Sequence, residues 1–148
     1  MSRDNLVKIE LRVDADGETH VETPWATPLG RNKFRLENMP FFAYDISLHD
    51  VVEAKKQKDG FPLVKRVVEK CGNRTVRVIF RGAVGKSKKT EAILDDLEEL
   101  GCDFECANPK LVVVLVPPDS DFDTVTKYLD NKKLNWEYAD PSSATLFD

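Results

Sequence analysis

Gly82-Ala83-Val84-Gly85-Lys86-Ser87 is the stretch whose residue types come nearest to familiar chemistry. It falls between a predicted strand and a predicted helix, where a phosphate-binding loop belongs. A Walker-type loop has four residues between its glycines, so that successive amides wrap the phosphates. Here the loop is two residues short, and Phe80 stands where the first glycine should be. The aspartate that would hold magnesium should close a later apolar strand, but Val116 is followed by Pro117-Pro118. The stretch therefore reads as a flexible basic loop. Nucleotide hydrolysis is rejected, and only simple anion binding at the following helix N-terminus stays open.

Other candidates weaken in the same way. Cys102 and Cys106 fall in a predicted strand, Cys102–Ala107, where a spacing of four puts them on one face but about 13 Å apart. Zinc holds each sulfur at about 2.3 Å, so small buried thiols are expected instead of a metal site. His49-Asp50 offers a base and its orienter, but neighbours in a strand point to opposite faces, and no nucleophile is placed beside them. Arg74, Arg77, Arg81, Lys86, Lys88 and Lys89 form a basic cluster that reads as a solvated edge. RNA-binding sheets stack bases on aromatics of their central strands, and Leu111–Val116 has none. Trp25, Phe34, Phe41, Phe42 and Tyr44 are the aromatic half of a pocket, with core packing the expected use. Asp95, Asp96, Glu98 and Glu99 make one helix face acidic, the kind of surface that steers a basic partner.

The elements that must position these residues are clearest in the second half. Leu111–Val116 is six apolar residues in a row, closed by two prolines, and predicts a strand buried on both faces. Around it, Thr75–Phe80 reads as a strand, Lys88–Leu100 as a helix, Phe122–Leu129 as a second helix and Trp136–Tyr138 as a last strand. Ile93, Leu94, Leu97 and Leu100 share one face of the first helix, and Gly101 stops it. Asp119-Ser120-Asp121 opens the second helix. In the first half, Val7, Ile9, Leu11 and Val13 alternate with charged residues up to a turn at Asp14-Ala15-Asp16-Gly17. The chain returns through Thr19–Trp25, and Leu29-Gly30-Arg31-Asn32 reads as a second tight turn. Short strands at this spacing suggest a small barrel or strongly bent sheet, with Lys55–Pro62 a polar loop.

Composition bounds the rest. At 148 residues, 41% apolar and 32% charged, the chain is long and apolar enough to bury a core. The net charge of −4 lies wholly in residues 74–148, since residues 1–73 hold 12 basic and 12 acidic residues. That balance argues against nucleic acid and anionic membranes as partners. No stretch is apolar enough to span a bilayer, and Met1–Lys8 runs into a strand without a signal-peptide core. With three unframed cysteines, these features predict a cytoplasmic protein with reduced thiols.

Three segments carry a family likeness: Trp25-Ala26-Thr27-Pro28-Leu29-Gly30, Phe34-Arg35-Leu36-Glu37-Asn38-Met39-Pro40-Phe41-Phe42-Ala43 and Ile46–Val52. Together they resemble an uncharacterised bacterial family, domain of unknown function 4265, over nearly the whole chain. Leu100-Gly101-Cys102 and Pro117-Pro118-Asp119 continue the likeness. The chain departs from the pattern at Phe34, where an aromatic hydroxyl is usual, and at His49, where glycine is usual. The resemblance brings no catalytic residue, and its motif residues (glycine, proline, aromatics) are those of turns and cores.

These readings lead to an α+β protein. A small β-rich, barrel-like lobe at 1–72 is expected to pack on a ferredoxin-like βαββαβ lobe at 73–148 as one compact unit, since no long linker separates them. The expected function is a non-catalytic protein-binding module, an inhibitor or immunity-type protein that neutralises a bacterial toxin or enzyme. Its contact would be Asp95, Asp96, Glu98 and Glu99 against a basic protein surface. The alternative is a small-molecule-sensing regulatory domain, by analogy of fold. No cofactor, metal or catalytic residue is assigned, and a homodimer would serve to cover an open sheet face.

Overall fold

A computed structural model describes residues 5–147 with the exception of residue 16. The expected entry of residues 1–4 into the first strand, and Asp16 of the first turn, lie outside the described residues. The chain divides into two compact units, Met1–Cys71 and Gly72–Asp148.

The first unit contains β1 (Val7–Lys8), β2 (Leu11–Ala15), β3 (Glu18–Glu22), β4 (Trp25–Gly30), β5 (Lys33–Leu36), β6 (Val51–Lys55) and β7 (Leu63–Glu69). Alternation buries Ile9, Leu11 and Val13 and leaves Arg12 and Asp14 outside, and β2 pairs with β3 as a hairpin. The return strand expected over Thr19–Trp25 is broken, because Pro24 has no N–H to donate. Its carbonyl instead accepts from the Ile9 amide at 3.1 Å. β4 runs straight on and turns into β5 through Arg31 and Asn32, both at positive φ (54° and 62°). Two left-handed residues in a row give the turn whose twist matches a hairpin.

The five-stranded sheet has the order β1-β4-β5-β6-β7. Just after β1, the Glu10 amide donates to the Pro62 carbonyl (2.8 Å) and its carbonyl accepts from Val64 (2.9 Å). One stretch, Val7–Glu10, thus bonds to β4 and to the start of β7, tying both edges of the sheet. Ile9, Ala26, Leu36 and Val52 fill the interior.

The second unit contains β8 (Arg74–Ile79), α1 (Lys88–Glu99), β9 (Asp103–Cys106), β10 (Leu111–Val116), α2 (Phe122–Asn131), β11 (Asn135–Asp140) and α3 (Ser143–Phe147). Its sheet is antiparallel throughout, in the order β11-β8-β10-β9. Val112, Val114 and Val116 pack with Val76, Leu94, Leu97, Val125 and Leu129, while Val113 and Leu115, alternating to the opposite face, are buried too. Ser87 caps α1 by accepting from the Thr90 amide (3.2 Å), and Asp121 caps α2. Gly101, at φ +95°, ends α1, with the Cys102 amide bonded back to Leu97. A Cβ there would fall on the Ser120 hydroxyl, so glycine is required for space as well as for φ.

The expected class is corrected. Among the described residues the protein is mostly β, with eleven strands in three antiparallel sheets against three short helices, and not a ferredoxin-like βαββαβ lobe beside a minor β lobe. The physical reason lies in segments whose composition reads as turn or loop. Trp25–Gly30 carries a proline and a glycine yet pairs on both sides, with β1 and β5. At the other end, α3 follows β11, where no element is predicted.

Candidate functional site

Two cross-strand pairs of the first unit begin the site. Lys8 on β1 lies opposite Trp25 on β4, which sets its ammonium 5.0 Å from the centre of the indole ring, a cation–π contact. Pro28 on β4 lies opposite Phe34 on β5. With Val7, Phe61 and Pro62 these residues line an open groove of about 710 Å³, nearly all of it apolar. Trp25 and Phe61 are each 44% exposed and Val7 37%, although water penalises such exposure. Contiguous apolar surface of this kind on a folded unit marks a contact site more often than scattered single residues do.

Polar contacts hold the groove's walls in place. The Trp25 amide donates to Asn38 Oδ1 (2.8 Å), and its carbonyl accepts from the Glu37 amide (2.9 Å). Phe61 is held through a relay from β2: Arg12 bonds Glu10 (2.7 Å) and Gln57 (2.8 Å), and Gln57 Nε2 donates to the Phe61 carbonyl (2.7 Å). The Lys55–Pro62 segment, read from sequence as a polar loop, therefore carries a wall of the groove. Phe61 is the residue sequence reasoning missed. Its one signal was an aromatic beside a proline inside an otherwise charged loop.

Three carboxylates organise the segment between β5 and β6. Glu22 accepts from the successive amides of Phe41 (2.6 Å), Phe42 (2.9 Å) and Ala43 (3.0 Å), an amide nest filled by the chain's own anion. Glu37 accepts from the Thr27 hydroxyl and from Arg35 Nε (3.0 Å), and lies 3.4 Å from His49 Nε2. Asp50, fully buried, accepts from the amides of Ser47 (2.8 Å) and Cys71 (2.9 Å) and pairs with Lys70. His49 and Asp50 thus serve different partners and do not act as a base and its orienter.

His49 has φ +74°, a conformation natural to glycine, which is the residue usual there in the family the sequence resembles. Its imidazole is 51% exposed, so contact with Glu37 does little to offset that strain. His49→Gly should therefore match or exceed the parent in stability, by up to about 1 kcal/mol, while a β-branched His49→Val should lose about 1–2 kcal/mol. Urea midpoints of the two variants decide the matter. A clear loss on His49→Gly would put the weight on the Glu37 contact.

The other sequence candidates scatter. Only Trp25 and Phe34 of the five aromatics meet in the groove. Phe42 stacks on His20 (5.3 Å, 20°), and Tyr44 and Phe42 are exposed, against the expectation of core packing. Asp95, Glu98 and Glu99 are exposed on α1, whereas Asp96 is half-buried and accepts from the Tyr128 hydroxyl (2.5 Å); burial, and then this bond, push that phenol's pKa up. Cys102 is buried as expected, its thiol pushed up to about 11 by burial and then by Asp103, but Cys106 is exposed, which corrects the expectation of a buried thiol there, and Cys71 is exposed as well. The basic cluster does not form one edge either. Arg77 is buried in the sheet and pairs with Glu137 (3.3 Å), and Arg74 lies over the Phe122 ring. In the Gly82–Ser87 loop, the amides of Val84, Gly85 and Lys86 donate to Pro109, Glu91 and Ala83. Those amides are occupied and do not form a phosphate cradle.

Among the described residues, no helix is long and apolar enough to cross a membrane, and no group of three His, Cys, Asp or Glu side chains is placed to hold a metal. The chain belongs to the family described as Domain of unknown function (DUF4265), whose model matches residues 22–138. That match takes in Trp25, Pro28, Phe34 and Phe61 of the groove. A novel crystal structure of a hypothetical protein from Neisseria gonorrhoeae is similar in fold, with a TM-score of 0.74 at 18% identity over 93% of this chain and 96% of that one. At that identity the likeness shows the fold alone. No curated protein matches the chain.

Proposed function

We propose that this protein works in the cytoplasm by binding another protein, as an inhibitor or immunity-type protein does, and that the Trp25–Phe34–Phe61 groove is the contact. The observation that carries this reading is the exposure of two large aromatic rings at the rim of one apolar groove. Buried aromatic anchors supply most of the affinity in protein interfaces. Lys8 is the one titratable side chain among the described lining residues, so the groove does not pair an acid with a base.

Flat rings flanked by Pro28 and Pro62 suit an extended, proline-containing segment, whose pre-ordered chain costs little entropy to dock. The exposed Asp95, Glu98 and Glu99 on α1 support a second reading of the contact, as charges that speed encounter with a basic partner. The two separate experimentally. Trp25→Ala with Phe61→Ala should abolish partner binding by raising the dissociation rate. Reversal of Asp95 and Glu99 should lower only the association rate, and only at low salt. Retention of full affinity by the aromatic double variant would move the contact out of the groove.

A further inference from the structure

At one end of the second unit lies a recess of about 390 Å³ with no part in the groove. Four cations line it from three separate places in the chain: Arg81 after β8, Lys89 in the first turn of α1, and Lys132 and Lys133 in the turn between α2 and β11. No aspartate or glutamate lines it, and none of the four forms an ion pair among the described residues. Its floor is apolar, from Ile93 and Leu134 among others.

The position of Lys89 sets this apart from a scatter of solvated lysines. Lys89 sits at the positive end of α1, where a cation is disfavoured by the helix dipole, and the first-turn acid Glu91 is occupied with the Gly85 amide. The chain therefore accepts an unfavourable local field at Lys89, beside an open recess that three further cations line. A bound anion would relieve it.

We propose that this recess binds a phosphorylated small molecule, its dianionic head held by the four cations and a compact ring or hydrocarbon body set on the apolar floor. A phosphate, with two charges and three acceptor oxygens, suits several cations at once better than a carboxylate does. The proposal is independent of the groove and of any protein partner.

Titration calorimetry on the full chain at low salt tests it, with phenyl phosphate, inorganic phosphate, benzoate and benzyl alcohol as probes. Phenyl phosphate should bind saturably at one site, more tightly than inorganic phosphate or benzoate, and benzyl alcohol should not bind. Lys89→Gln with Lys132→Gln should weaken phenyl phosphate about tenfold or more. The control pair Lys58→Gln with Lys65→Gln, exposed in the first unit, should leave it unchanged. Both double variants change only exposed side chains, and an unaltered melting temperature verifies their folding. Equal weakening in the two double variants, benzoate binding as tightly as phenyl phosphate, or no saturation below about 10 mM would overturn the proposal.

Discussion

Val114→Asp should leave the second unit without a cooperative unfolding transition. Val114 is wholly buried at the middle of β10, opposite Val76 on β8 and Phe104 on β9. Its side chain joins the cluster with Leu94, Leu97, Val125 and Leu129, where a carboxylate finds no counter-charge. Burying an unpaired ion there costs several kcal/mol, or else the strand must leave the sheet. Either outcome uses up most of the roughly 5–15 kcal/mol that holds an ordinary domain together. Val114→Ala is the companion variant. It removes two methyl groups without adding charge, and should stay folded with a loss of about 2 kcal/mol. Circular dichroism against urea reads both. A soluble Val114→Asp protein with a sharp, unshifted transition would show that β10 is not the centre of that unit.

The second large effect falls on Asp50→Ala, with an expected loss of about 3 kcal/mol. Asp50 has no exposed surface, and its two oxygens take the amides of Ser47 and Cys71 together with the Lys70 ammonium. Lys70 is partly exposed and can return to water, so little of the loss comes from the ion pair. The cost comes from the two amides that lose a charged acceptor, one of them on fully buried Ser47. Asp50→Asn keeps an acceptor oxygen and should lose about half as much. Equal losses for Ala and Asn would show that the charge, not the amide contacts, is what the segment needs.

Asp50 also illustrates what could be read from the sequence and what could not. Periodicity reports burial along one element, so the Val-rich run of β10, the apolar stripe of α1 with its Gly101 stop and the alternation of β2 were all legible. A carboxylate that bonds amides some twenty residues away, as Glu22 and Asp50 do, leaves no periodic mark. β4 was hidden because Pro28 and Gly30 argue for a turn. Pro28 is tolerated there, and the sheet register shifts between Pro28 and Gly30. The groove was hidden for a third reason. Trp25 and Phe34 lie close in the chain, but Phe61 reaches them only through the tie between Glu10 and the start of β7.

Peptide selection against the full chain tests the binding reading most directly, with the Trp25 indole N–H resonance used to locate whatever is selected. Extended, proline-containing peptides should be enriched, and they should shift the Trp25 signal while leaving that of Trp136, bonded to Asp130, in place. Trp25→Ala with Phe61→Ala should weaken their binding at least about tenfold, the scale of losing an aromatic anchor. Selected peptides that leave the Trp25 resonance unmoved and bind the double variant as tightly as the parent would contradict the binding reading.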